Sequence, residues 1–92
     1  MKANNEIIKS FINGISASNR NLRTDGNKLI NYYTTIAQRN ENGEIIVNST
    51  KYSVSTSKIQ SYLRYELSKT PLTCLYTTKH VPLGTYNIER FV

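Results

Sequence analysis

The chain is predicted to be an α+β domain: a three- to five-stranded antiparallel meander with two helices, the N-terminal one packed on one face of the sheet. Three observations predict it. Ala3, Ile7, Ile8, Phe11, Ile12 and Ile15 recur at three-four spacing, the apolar stripe of an amphipathic helix. Asp25-Gly26 and Asn42-Gly43 bracket a run of alternating side chains, as in consecutive hairpins. Beyond residue 44 the apolar period changes from two (Ile45, Val47, Tyr52, Val54) to four (Ile59, Leu63, Leu67), so a strand runs into a helix.

Taken in order, the first helix is expected over residues 5–13. Asn4 or Asn5 caps its start and Gly14 takes the left-handed conformation that closes it. Residues 15–23 are polar and read as a loop leading to a short edge strand at 21–24. Asp25-Gly26 then turns the chain into a long strand at 28–38. There Ile30, Tyr32, Thr34 and Ile36 form the more apolar face, expected to meet the helix, and Tyr33 is left on the other. Asn42-Gly43 returns the chain through residues 44–48. In the second helix, expected over 58–68, Ser57 and Gln60 have capping-box spacing and Lys58 is the first helical residue. Thr70-Pro71 ends it. Leu72, Cys74 and Tyr76 alternate as a further strand, Pro82 and Gly84 break the chain, and Tyr86, Ile88 and Phe91 pack the tail back.

Length and composition narrow the rest. Ninety-two residues support one hydrophobic core, hence a single domain over residues 1–92. The apolar fraction of 38% is low, and seven Tyr make up part of the deficit with large rings that keep a hydroxyl at the surface. Asn, Ser and Thr form nearly a third of the chain, yet they lie inside periodic segments, which argues against low-complexity disorder. One cysteine excludes an intrachain disulfide. No apolar run has the length of a signal core or a membrane span, so a cytoplasmic location with no membrane partner is expected.

Twelve basic against six acidic residues give a net charge of +6, a surplus that favours anionic partners. The six acids are dispersed, with one His and one Cys beside them, so neither a metal site nor a cofactor is expected. Cys74 alternates in register with Leu72 and Tyr76, the position of a small buried hydrophobe. No phosphate loop, nucleophile elbow or HExxH is present; binding without catalysis is expected. The candidate surface is basic and aromatic: Arg39, Lys51, Ser57, Lys58 and Arg64, with Tyr33 on the outer sheet face. Phosphates would meet the cations and the helix start, and bases would stack on the ring. Convergence of Arg39, Lys51, Lys58 and Arg64 on one face favours nucleic acid as the partner; scatter favours a protein with an acidic surface.

Ile36-Ala37-Gln38-Arg39, the turn at Asn42-Gly43, Ile45-Ile46-Val47-Asn48, Thr50-Lys51-Tyr52-Ser53 and Ser55-Thr56-Ser57-Lys58 together resemble a pattern in small uncharacterised proteins of bacteriophages and related mobile elements. The resemblance covers about residues 29–60. It implies an accessory role, in host takeover or against host defence (anti-CRISPR inhibitors are of this type), and transfers no site residues. A nucleic-acid-binding module and an inhibitor of a host defence protein are the two functions it accommodates.

The stripe generates the first test. Ile8→Asp or Phe11→Asp places a charge between helix and sheet, where burying it unpaired costs several kcal/mol. Either variant is expected to lose the cooperative thermal transition seen by circular dichroism; one that melts like the parent would put this helix off the core.

Overall fold

In the computed structural model, which describes residues 2–92, the apolar stripe becomes helix α1 (Asn4–Ile12), with Ile7, Ile8 and Phe11 fully buried. Its cap differs from expectation. Ala3 occupies the N-cap, where the Glu6 carboxylate accepts from its N–H at 3.3 Å, and the Asn4 side chain instead accepts from Asn19 Nδ2. Gly14 does close the helix, at φ +73.

Six strands follow: β1 (Ala17–Ser18), β2 (Leu22–Thr24), β3 (Lys28–Asn31), β4 (Thr34–Arg39), β5 (Ile45–Val47) and β6 (Cys74–Tyr76), after helix α2 (Val54–Ser68). They lie in sheet order β1 to β6, antiparallel except for β5 with β6. The expected three to five strands are therefore six, and the meander ends in a parallel pair. Helix α2 causes this: it carries the chain back along the sheet, so the next strand must run as β5 does. Strand β1 lies in the stretch expected to be loop, where two residues pair with β2 without any apolar alternation to announce them.

The long strand expected at residues 28–38 is two strands joined at Tyr32-Tyr33. Within it, Leu29 pairs with Ala37 but Ile30 with Thr35, so Ile36 is an extra residue in β4, a bulge. The bulge directs both Ile36 and Ala37 into the helix-side core with Leu29, correcting the face expected from strict alternation. Thr35 and Gln38 are left to bind the C-terminal tail on the other side. The Thr35 hydroxyl donates to the Tyr86 carbonyl, and Gln38 Oε1 accepts from the Ile88 N–H at 2.9 Å.

Both faces of the sheet are thus covered. On one, α1 and α2 bury Ile59, Leu63 and Leu67 against Leu29, Ile45 and Val47. On the other, Val81, Ile88 and Phe91 of the tail cover Ile46 and Leu75. Burial of each such side chain is worth roughly 1.5–3 kcal/mol. Tyr86, expected to pack, is instead exposed beneath the Lys28 ammonium, 4.6 Å from the ring centre. Cys74 packs against the helix-side cluster, half-buried, and burial pushes its thiol pKa up.

Helix α2 begins a turn earlier than residue 58. Ser53 is its cap, accepting from the Thr56 N–H at 3.3 Å. Gln60 is not part of a capping box; it is buried and donates to the Asn48 and Thr50 carbonyls. The Asn48 side chain in turn donates to the Thr35 carbonyl and the Tyr52 hydroxyl, each at 3.0 Å. These bonds pin residues 48–52 between sheet and helix, leaving Tyr52 and Val54 outside any strand.

Arg39 lies at the far end of β4. Its guanidinium donates to the carbonyls of Phe11, Ile12 and Gly26 at 2.5–2.8 Å and covers the Phe11 ring. Two of these are last-turn carbonyls of α1, which have no partner within the helix.

Arg39→Ala should cost about 2–4 kcal/mol, because charged hydrogen bonds are lost and their acceptors stay covered. Arg39→Lys should recover only a minor part, since a point charge cannot fork among three acceptors. Urea denaturation tests this: the midpoint falls with an unchanged m-value, whereas a parental midpoint for Arg39→Ala would place the guanidinium in solvent. Cys74→Ala should cost about 1 kcal/mol. With its pKa raised, the native thiol holds less thiolate than a free cysteine at pH 8 and should react with a thiol reagent more slowly than in the urea-unfolded chain; equal rates would place Cys74 outside the core.

Candidate nucleic-acid interface

The hairpin between β3 and β4 turns in two residues, Asn31 pairing with Thr34 across Tyr32-Tyr33. Tyr32 has φ +54, a left-handed conformation costing a residue with a β-carbon about 1–2 kcal/mol. Glycine usually takes this place in a tight hairpin. The neighbouring strand and its turn hold the strained residue: its N–H donates to the Asn21 carbonyl at 2.9 Å and its carbonyl accepts from Arg23 Nη1 at 3.0 Å. Two rings, 58% and 78% exposed, therefore stand at the tip of the sheet.

Beside the tip lies a mainly apolar groove of about 610 Å³, within the range of small-molecule sites. Tyr32 forms one wall, Pro82 and Leu83 of the tail another, and Lys51 and His80 reach its rim. Its floor is polar and cross-linked. Thr56 Oγ1 donates to Asn31 Oδ1 at 2.9 Å, and Thr34 Oγ1 accepts from the Gly84 N–H at 2.9 Å. Tyr52 holds the tail wall by donating to the Val81 carbonyl at 2.5 Å. A second hollow, of about 330 Å³, adjoins the first and is lined by Lys51, Lys79 and His80 with the hydroxyl residues Ser49, Thr50, Thr77 and Thr78. Neither hollow is lined by an acid.

Charge is uneven along the strand direction, although Glu6 lies in the first turn of α1 and Lys28, Arg39 and Lys69 lie at the end away from the hairpin tip. The tip end carries the turn with Arg20, Arg23 in the middle of β2, Lys51 before α2, and Lys79-His80 after β6, all exposed. Asp25, Glu41 and Glu44 lie in the loops of the opposite end, and Glu66 in the last turn of α2. Two main-chain N–H groups, of Lys28 and Asn27, hold the Asp25 carboxyl below its ordinary pKa. Glu66 is paired with Lys69 at 3.1 Å. Both helices begin at the tip end: Asn4 and Asn5 of α1 share a hollow with Ser55 and Lys58 of α2, and the two C-terminal turns also meet. Their N-terminal partial charges add to the basic side chains there.

Of the six residues chosen from the sequence, Tyr33 and Lys51 both lie at this end, though the groove that Lys51 reaches is lined by Tyr32 and not by Tyr33. Ser57 is half-buried at the end of the first turn of α2 and caps nothing. Lys58 is exposed on the side facing α1, and Arg64 lies in the third turn of α2, donating to Ser61 Oγ at 3.2 Å. Arg39 is at the opposite end with its guanidinium committed to main-chain carbonyls. Arg39, Lys51, Lys58 and Arg64 therefore do not converge, and by that criterion these four alone favour a protein partner. A different set, Arg20, Arg23, Lys51 and Lys79 with His80, does lie at the tip end, spread from the β1–β2 edge of the sheet to the far side of β6, with Lys51, Lys79 and His80 lining one hollow. Tyr32 was hidden because Ile30 to Ile36 reads as one alternating strand, and His80 because a lone histidine signals nothing without its neighbours in space.

Among the described residues, no three of His, Cys, Asp and Glu gather as metal ligands, and no helix is long and apolar enough to cross a membrane. Comparison with known proteins finds no matching family model, no matching curated protein and no matching solved structure.

Proposed function

We propose that the chain is a small accessory protein of the phage type that acts by binding nucleic acid through its tip end, without catalysis. The observation that carries this reading is the presence of two exposed tyrosines with Arg20, Arg23, Lys51 and Lys79 at the end opposite most of the acids. Cations beside exposed rings are the combination that holds phosphates and stacks bases. In this reading Lys51 and Tyr33 are retained from the residues expected from the sequence, Tyr33 from the hairpin turn and not from the outer sheet face, and Arg39 is replaced by Arg20, Arg23 and Lys79.

One observation favours a second reading, inhibition of a host defence protein by direct contact: Leu83 is 76% exposed at the edge of an apolar groove. A partner with an acidic rim around an apolar knob would suit it.

Fluorescence anisotropy with short DNA and RNA oligonucleotides tests the leading reading. Binding should weaken with salt at a log–log slope on the order of −0.7 to −0.9 per phosphate contact. Lys51→Glu with Lys79→Glu should abolish it at near-physiological salt without lowering the melting temperature, whereas Arg64→Glu should change it little. No binding at low salt would overturn the reading, and the tip variants would then be compared for loss of a host partner.

A further inference from the structure

The two hollows at the tip share Lys51 and His80 but differ in character. One has an aromatic wall, an apolar lining and a floor of hydroxyl and amide groups; the other is polar, with two lysines, a histidine and four hydroxyl side chains. A nucleotide divides in the same way, into a flat base with polar edges and an anionic phosphate. We infer that the larger groove seats one unpaired base against Tyr32 while the smaller hollow takes an adjacent backbone phosphate, so that the partner is single-stranded. The inference rests on the nucleic-acid reading above and narrows it.

Three features argue for a base as occupant. In a duplex the bases are stacked, so a ring at the tip has no exposed base face to meet, whereas a single strand presents one. The groove floor keeps capacity for base edges: Asn31 Nδ2 donates to the Asn21 carbonyl at 3.0 Å and has a second hydrogen, while the Thr34 hydroxyl accepts from Gly84 and remains free to donate. The strained conformation at Tyr32 keeps its main chain fixed by Asn21 and Arg23, so the ring is presented from a rigid support. Strain held in place by neighbouring bonds is a recurrent feature of binding sites.

The test compares a single strand, the same strand with scattered abasic nucleotides, and its blunt duplex, by anisotropy at one salt concentration. Each is prepared as DNA and as RNA, because the base is common to both and the sugar distinguishes the sources. The intact strand should bind at least about ten-fold tighter than the duplex and the abasic strand, the scale of losing one stacked base. Tyr32→Asn should remove most of that advantage while leaving the salt slope unchanged. Asn tolerates positive φ, so this variant should melt at or above the parental temperature; Tyr32→Phe, which keeps the ring, should bind like the parent. Equal, salt-sensitive binding of all three ligands, indifferent to Tyr32→Asn, would overturn the base groove and leave the phosphate-binding function standing. No binding of any ligand would overturn both.

Discussion

The fold depends on the fork of Arg39. Helix α1 ends against the loop between β2 and β3, where the Phe11 carbonyl accepts from the Gly14 N–H and the carbonyls of Phe11, Ile12 and Gly26 all accept from one side chain. The guanidinium of Arg39 supplies donors to Phe11, Ile12 and Gly26 together, and burial lowers its pKa without removing its charge. The approach it permits is close. A β-carbon on Gly26 would stand 2.6 Å from the Gly14 carbonyl oxygen, so glycine is required there by space as well as by its φ of +93. One charged side chain thus ties the end of the first helix to the β2–β3 loop, while its buried stripe of Ile7, Ile8 and Phe11 holds it on the sheet.

Elsewhere the scaffold relies on polar side chains in interior positions. Asn48, Gln60, Thr35 and Gln38 are at most 4% exposed and all hydrogen-bonded. Among the described residues, no buried side-chain nitrogen or oxygen is left without a partner. This explains how a chain with so low an apolar fraction, expected to build one core, forms a larger cluster on one face of the sheet and a smaller one on the other. Apolar contact supplies the attraction, and the amides, each satisfied, give the loops and tail one register. The walls of the groove at the tip are built from these same loops.

What the sequence revealed and what it concealed have physical reasons. The stripe of α1, the Asp25-Gly26 and Asn42-Gly43 turns, and the inward Ile45 and Val47 were legible because each is a local pattern of period or turn chemistry. Alternation misled between residues 28 and 38, where Tyr32-Tyr33 has the composition of a strand and the conformation of a turn, and the bulge at Ile36 shifts the phase by one. The helix cap was displaced because Ser53 and Ser57 are both acceptable caps, and the choice of Ser53 places Thr56 beside Asn31 of β3. Of the candidate site, the cationic character was legible. Its membership was not, since Arg20, Arg23 and Lys79 are brought to one end only by strand pairing, and the commitment of Arg39 to carbonyls far along the chain is tertiary.

The two helices run side by side in the same direction, with their starts at the tip and their ends among most of the acids. Parallel helix dipoles do not cancel, and here they add to an uneven distribution of charged side chains. In an external field such a molecule experiences a torque, so a polyanion several ångströms away turns the tip toward itself before any atoms touch. For a partner of the kind proposed, a larger share of encounters would then begin with the tip facing it. Added salt shortens the reach of that field, so its first effect falls on the rate of association, while the residence time, set by short-range contact, responds less.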